Sequence, residues 1–347
     1  MKAIVLRQFG GPEVLRIEEV PTPKPVADEI LIKVHSVSVN RTLDCIVRAG
    51  HYPVTIHLPH VLGADPAGEV VEVGGDATNH RIGDRVAVIS ATPCQKCGPC
   101  LNGAQANCLS TKRIGIDAWG GYAQYITVPS RYAVKLPDEL SFAAGTVITR
   151  HFPMAFHLLV SKAEVRPAEW VLVMGATGAL GSSCVQVAKM LSAKVIAGAG
   201  ADDRVAVALK QGADFGVNYR KSNLAEEVMK LTDDRGVDIV CENIADPTLW
   251  PAALASLAMN GRLVTAGAHG GGTVSLDVKR LYMRRLRIFG AAGTNLADVE
   301  KSLQAAGEGK IRAIINRTMP LSEAAEAHRI IENNQIAGKI ILEPRLD

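Results

Sequence analysis

Hydrophobic positions follow two rhythms along this chain. Up to about residue 135, short valine-rich runs such as E-I-L-I-K-V-H-S-V-S-V, A-G-E-V-V-E-V-G and D-R-V-A-V-I are separated by Gly, Pro and Asp. Short β-branched runs between turn-forming residues predict strands, and so a β-rich first domain. From about 150 to 290 the texture changes to strand and helix in alternation. Val171 to Met174, Lys194 to Ala197, Ile239 to Cys241, Arg262 to Ala266 and Arg287 to Phe289 read as buried parallel strands, with helical stretches between most of them. That alternation predicts a doubly wound α/β domain. After Thr294, helices at Leu296 to Gly307 and Ser322 to Asn333 lead to a last strand, Lys339 to Leu342, and this tail is expected to rejoin the first domain. The expected division is therefore 1–150 with 295–347 against 151–294.

Composition narrows the picture only a little. A chain of 347 residues suits two domains, and 48% hydrophobic with 21% charged residues is ordinary for a globular protein. The net charge of +3 is too small and too evenly spread to suggest nucleic acid or a membrane surface as partner. No apolar run approaches the roughly 20 residues needed to span a bilayer.

Four of the seven cysteines crowd into one segment, C-Q-K-C-G-P-C-L-N-G-A-Q-A-N-C, as Cys94, Cys97, Cys100 and Cys108. Three thiolates stepped by three residues can curl around one ion while a fourth closes a tetrahedral shell with sulfurs about 2.3 Å from zinc. With all four positions filled there is no place for a water, so such a zinc is structural. The competing reading, a disulfide cluster, needs an oxidising compartment. The opening M-K-A-I-V-L-R begins with a strand-like run and shows no secretory leader pattern, so zinc in a reduced cytoplasm is expected. Cys184 and Cys241 read as small buried apolar residues.

Between V-L-V-M and the helix beginning near Ser182 lies G-A-T-G-A-L-G, with Ala176, Gly178 and Gly181 at the three small-residue positions of a dinucleotide fingerprint. Gly178 lets backbone approach a pyrophosphate, Gly181 lets helix pack on strand, and the helix N-terminus offers free N–H groups. Thr177, Gly178, Ala179 and Leu180 are the expected contacts. Cofactor choice turns on the end of the second strand, A-K-V-I-A-G-A-G-A-D-D-R, where Ala197 to Ala201 supply no acid for a ribose 2′-hydroxyl. Asp202 and Asp203 come late and read as an N-cap and a first-turn acid. Arg204 can reach a 2′-phosphate and Tyr219 can lend its hydroxyl, so NADP(H) is expected.

Taken together these residues resemble the medium-chain dehydrogenase/reductase superfamily. The resemblance runs through F-G-G-P-E-V-L, G-A-D-P-A-G-E-V-V-E-V-G at 63–74, the four-cysteine lobe, the glycine loop, G-R-L-V-T-A-G at 261–267 and G-K-I-I-L near the end. It implies a GroES-like β-rich domain that carries the substrate site and the structural zinc lobe, and a Rossmann domain that binds a nicotinamide cofactor in the cleft. Gly267 and Ala268 then join the cofactor contacts. Zinc alcohol dehydrogenases of this family hold a second, catalytic zinc through two cysteines and a histidine. Here the first ligand position falls on Asn40 or Arg41, the histidine position is Ala64, and the third is Arg150. The chain thus resembles the quinone oxidoreductase and enoyl reductase branch, many members of which lack the structural zinc lobe.

Without a metal to polarise a carbonyl, an activated alkene or quinone is the easier hydride acceptor, because the charge spreads onto an oxygen that hydrogen-bond donors can hold. Arg150 is the candidate for that oxygen or for an acidic substrate group; its plain alternative is a structural ion pair. His151 can supply a proton. Tyr52 lies where the resemblance puts the substrate loop and either donates or packs, while Asn40 and Asp44 fix that loop through side-chain to backbone bonds. A relocated metal on Cys45, Asp65 and His151 would instead make an alcohol or aldehyde dehydrogenase, and a third reading is a cofactor-binding sensor with little turnover. The expected partners are a small carbonyl or quinone substrate and a second copy of the chain, paired through an edge strand at R-L-R-I-F-G, with a tetramer also open.

Overall fold

The punctuated runs of the first 135 residues become strands in a computed structural model of the chain, which describes residues 1–103, 105–333 and 336–346. The chain divides into two compact units, Met1–Arg150 with Arg312–Asp347, and His151–Ile311.

In the first unit the strand Glu29–Ser38 is the organising element. It pairs antiparallel with Ala67–Val73 and Tyr125–Pro129, and its end meets Lys339–Glu343 through Ser38 opposite Ile341. Among the described residues this gives a seven-stranded sheet, in which Ala133–Lys135, Arg85–Val88, Ala67–Val73, Glu29–Ser38, Lys339–Glu343 and Ile315–Pro320 follow one another. Ile30, Ile32 and Val34 point to one face, where they pack with Val70, Val86, Ile126 and Val128. Each such side chain stabilises the fold by about 1.5–3 kcal/mol on burial. A separate sheet of Arg16–Glu19, Lys2–Leu6 and His60–Val61 closes over a second core containing Ile4, Leu6, Val61 and Tyr122.

In the second unit six parallel strands stand in the order Phe215–Asn218, Lys194–Ala199, Trp170–Met174, Val237–Cys241, Leu257–Thr265, Arg287–Gly290. Numbered along this unit that is 3-2-1-4-5-6, the order of dinucleotide-binding sheets, with the direction of travel reversing between the first and fourth strands. Val171, Leu172, Val173 and Met174 are all fully buried, as expected of a parallel strand covered on both faces.

Three sequence expectations need correction. The tail does not leave the second unit at 295: the helix Leu296–Gly307 stays there, held by buried Val299 and Leu303 and by Asp298 Oδ2 lying 3.2 Å from His157 Nδ1. The return comes at Arg312. Beyond residue 150 two strands went unread, Phe215–Asn218 and Ile315–Pro320, because both lie at sheet edges and expose much of their length. The helix expected from Ser322 is a short 3-10 turn, Leu321–Glu323, followed by Ala324–Glu332. No helix among the described residues is long and apolar enough to cross a membrane.

Candidate functional site

In the second unit the glycine loop is built by its glycines. Gly175 has φ +63°, a left-handed value that favours glycine. Gly178 caps the helix Ala179–Met190 in extended conformation, and its N–H donates to Gly175 O at 2.9 Å. A Cβ on Gly181 would lie 2.2 Å from Gly175 O, so only glycine lets the first helical turn sit this close to the strand. Ala176 is fully buried beneath the loop, while Thr177, Ala179 and Leu180 are half-buried and Gly178 is exposed. The first N–H groups of the helix have no acceptor within it and suit an anionic ligand. Gly267 and Ala268 follow the end of Leu257–Thr265, also on this carboxyl edge of the sheet.

Beyond the second strand the structure adds a residue the sequence reading missed. A Cβ on Gly200 would come within 3.2 Å of the Tyr219 hydroxyl and 3.3 Å of Arg220 Nε, so both side chains lie across the strand end. Burial raises the pKa of Tyr219, while Arg220 and Arg204 oppose that shift, which puts both cations near its hydroxyl. The N-cap assigned to Asp202 is corrected. The cap is Ala201, and the Asp202 carboxylate instead accepts from Asn218 Nδ2 at 2.6 Å and from Lys221 Nζ. Lys221 lies nineteen residues further along, beyond any local capping pattern.

In the first unit Cys94, Cys97, Cys100 and Cys108 place their sulfurs within 4.8 Å of one another, an arrangement that can hold a metal ion. Tetrahedral zinc asks for sulfurs about 3.8 Å apart, given bonds of about 2.3 Å. The Cys97 sulfur lies 3.4 Å from that of Cys100 and 3.9 Å from that of Cys108. Backbone N–H groups of Cys94 and Ser110 donate to the Cys108 sulfur at 3.1 and 3.3 Å. Chiefly through the Cys94 N–H, the Cys108 thiol is lowered to about 6, the thiolate form a metal needs.

The positions matched to lost zinc ligands fall in a network of charged and amide groups. Asn40 is buried while Arg41 is exposed. Both ends of the Asn40 amide are taken: Oδ1 accepts from Lys339 Nζ at 2.7 Å, and Nδ2 donates to Asp65 Oδ2 at 3.1 Å and to Ser38 O at 3.3 Å. Asn40 therefore serves as a tie within the unit, its oxygen held by Lys339 and its NH2 by Asp65 and Ser38. Asp44, also buried, accepts from Asn40 N at 2.7 Å and from the Tyr122 hydroxyl at 3.2 Å. Burial, with Asp65 adding to it, raises Asp44 to about 6, and burial lowers Lys339 to about 8. Neither Lys339 nor Tyr122 stood out in sequence; a lysine opening the apolar run Ile340–Leu342 of the final strand was the one available sign.

Arg150 is half-buried. Its Nη1 donates to Ser90 Oγ at 2.8 Å, its Nε has no acceptor among the described residues, and it acts electrostatically on both Asp44 and Lys339. No carboxylate of the described residues stands within ion-pair distance of it, so the structural ion pair is not seen. His151 is half-buried on the same helix, Phe142–Phe156. Tyr52 packs against the core with the Arg113 guanidinium 5.9 Å from its ring centre. Cys45 and Asp65 do not converge as metal ligands: the Cys45 sulfur lies 3.6 Å from His328 Nδ1, and Asp65 accepts from Ser38 N at 3.0 Å and Ser38 Oγ at 2.6 Å.

Comparison with known proteins agrees with this architecture. Residues 26–138 match the alcohol dehydrogenase GroES-like domain family and residues 179–308 the zinc-binding dehydrogenase family. An NAD-dependent alcohol dehydrogenase of Sulfolobus acidocaldarius is 32% identical over 349 residues, covering 99% of each chain. A quinone oxidoreductase of Homo sapiens is 29% identical over 350 residues, covering 99% of this chain and 97% of that protein. A crystal structure of an NAD-dependent alcohol dehydrogenase superposes with TM-score 0.93 at 33% identity, covering 99% of both chains.

Proposed function

Because the chain belongs to the medium-chain dehydrogenase/reductase superfamily, we propose that it is an NADP(H)-dependent reductase of activated C=C bonds or quinones that works without a catalytic zinc. The observation that carries this reading is the fate of the three ligand positions. Ala64 has no donor atom, the Asn40 amide is spent on Lys339 and Asp65, and Arg150 brings a permanent cation where a ligand would stand. The relocated metal gains no support, since Cys45 and Asp65 have other partners.

The bound cofactor supplies a hydride. The chain's own part is to hold an acceptor's oxygen and to deliver one proton. Arg150 takes the first role: a guanidinium with an unused Nε–H can hold the negative charge that grows on an enone, quinone or enoyl thioester oxygen. His151 is the proton donor, and Tyr52 either donates to the same oxygen or shapes the loop. Lys339 and Asp65 keep Asn40 and its loop in place.

Preference for the 2′-phosphate is supported by Arg204, Arg220 and Tyr219 grouped beyond the second strand, and by Lys221 neutralising Asp202, the nearest acid. The four cysteines hold one structural zinc. A homodimer through the edge strand Arg287–Gly290 is supported by exposed Val278, Tyr282 and Met283 on the helix just before it. A monomer by light scattering overturns that assembly.

The test is NADPH oxidation with a panel of quinones, linear enones and enoyl thioesters. Turnover with at least one class is expected; none with any, beside tight cofactor binding, leaves the sensor reading in its place.

A further inference from the structure

Where the strand order of the second unit reverses, one buried side chain has an unmet hydrogen bond. Asn243 follows the strand Val237–Cys241 and is 6% exposed. Its Oδ1 accepts from Ala266 N at 3.3 Å, which sets the amide orientation, because the flipped form would turn an NH2 group against that N–H. Its Nδ2 has no acceptor among the described residues. The neighbouring Glu242 carboxylate is occupied: it accepts from Ile244 N at 3.1 Å and from Ala245 N at 2.8 Å.

The surroundings are close-fitting backbone. A Cβ on Gly267 would lie 2.9 Å from Asn243 O and 3.3 Å from His269 Nε2. A Cβ on Gly175, the first residue of the glycine loop, would lie 3.5 Å from Cγ1 of the next residue, Ile244. Asn243 thus adjoins the Gly267–His269 segment, and its neighbour Ile244 adjoins the phosphate-cradling loop. A buried donor without a partner destabilises the fold unless a ligand answers it.

A dinucleotide in such a sheet crosses the reversal point, with its adenosine ribose at the end of the second strand. That end carries Arg204, Tyr219 and Arg220. Asn243 lies two residues beyond the fourth strand, which flanks the first strand on the side away from the second, and so falls toward the other half of such a dinucleotide. We infer that Asn243 Nδ2 donates to an oxygen of the nicotinamide half of the bound dinucleotide and thereby positions that half. The inference rests on the cofactor reading above.

The test compares two probes on the intact chain: NADPH, and adenosine 2′,5′-bisphosphate, which carries the adenine half alone. Asn243→Leu keeps the volume and removes the amide; Asn243→Ser is the smaller, polar alternative should the first fail to fold. Expected is a loss of about 10-fold in NADPH affinity with bisphosphate affinity unchanged. Equal NADPH affinity in wild type and variant, or parallel loss of both probes, overturns the role. Wild-type protein that binds neither probe overturns the cofactor reading and this inference with it.

Discussion

Asn40 Oδ1 and Lys339 Nζ, 299 residues apart in the chain, meet at 2.7 Å inside the first unit. The same ammonium donates to Val39 O at 2.7 Å, so one buried lysine joins the last strand to the loop that bears Asn40. Replacing it leaves two buried acceptors unanswered. Lys339→Met is expected to lower stability at neutral pH by about 1–3 kcal/mol in urea denaturation.

Lys339 also predicts an alkaline signature. Burial lowers its pKa from 10.5 to about 8 in the folded chain. Between those values the unfolded chain holds a proton the folded chain has released, so this group's contribution raises stability as pH climbs through that window. The rise is absent in Lys339→Met, as urea midpoints measured at pH 8 and pH 10 would show.

On the acid side His328 is the sensitive group. Burial first, and Arg48 second, lower its pKa from 6.5 to about 3, and its ring nitrogens face Tyr122, Arg48 and Cys45. As pH falls through that range the unfolded chain takes up a proton and stability is lost. Asp44 runs the other way: its pKa is raised from 3.8 to about 6, so the folded chain takes the proton first and gains stability over that range. His328→Gln removes the unfavourable half, and its stability relative to wild type should improve steadily from pH 6.5 to pH 4. A constant offset across that range contradicts the assignment.

Cys108 anchors the four-cysteine cluster, since two backbone N–H groups already hold its sulfur. Cys108→Ser is expected to lose zinc and to lower the thermal midpoint, as metal analysis and calorimetry would record. Chelation of wild type should reproduce the thermal loss.

Cofactor preference rests on the second strand's end. Replacing Arg204 and Arg220 together by Ala should weaken NADPH binding about 10- to 100-fold, because charged hydrogen bonds to a phosphate are the strong kind. NADH binding, followed by cofactor fluorescence, should barely change.

What the sequence disclosed follows from the range of each interaction. Val171 to Met174 and the glycines after them are read locally, because apolar burial and tight turns are written in adjacent residues. The cysteine cluster is legible for the same reason, its four sulfurs coming from one short segment. The edge strands Phe215–Asn218 and Ile315–Pro320 carry too few buried residues to stand out. Lys221 on Asp202, Lys339 on Asn40 and His328 on Tyr122 are long-range pairs, and nothing in the local pattern of either partner announces the other. Asn243 was missed because an asparagine after a strand is an ordinary turn residue until its hydrogen bonds are counted.

The most direct measurement counts zinc per chain on the same preparation whose NADPH oxidation is followed with quinones, enones, enoyl thioesters and simple aldehydes. One zinc per chain with alkene or quinone turnover is the expected result. Two zincs per chain with aldehyde turnover would contradict the account and place a catalytic metal among Cys45, Asp65 and His151.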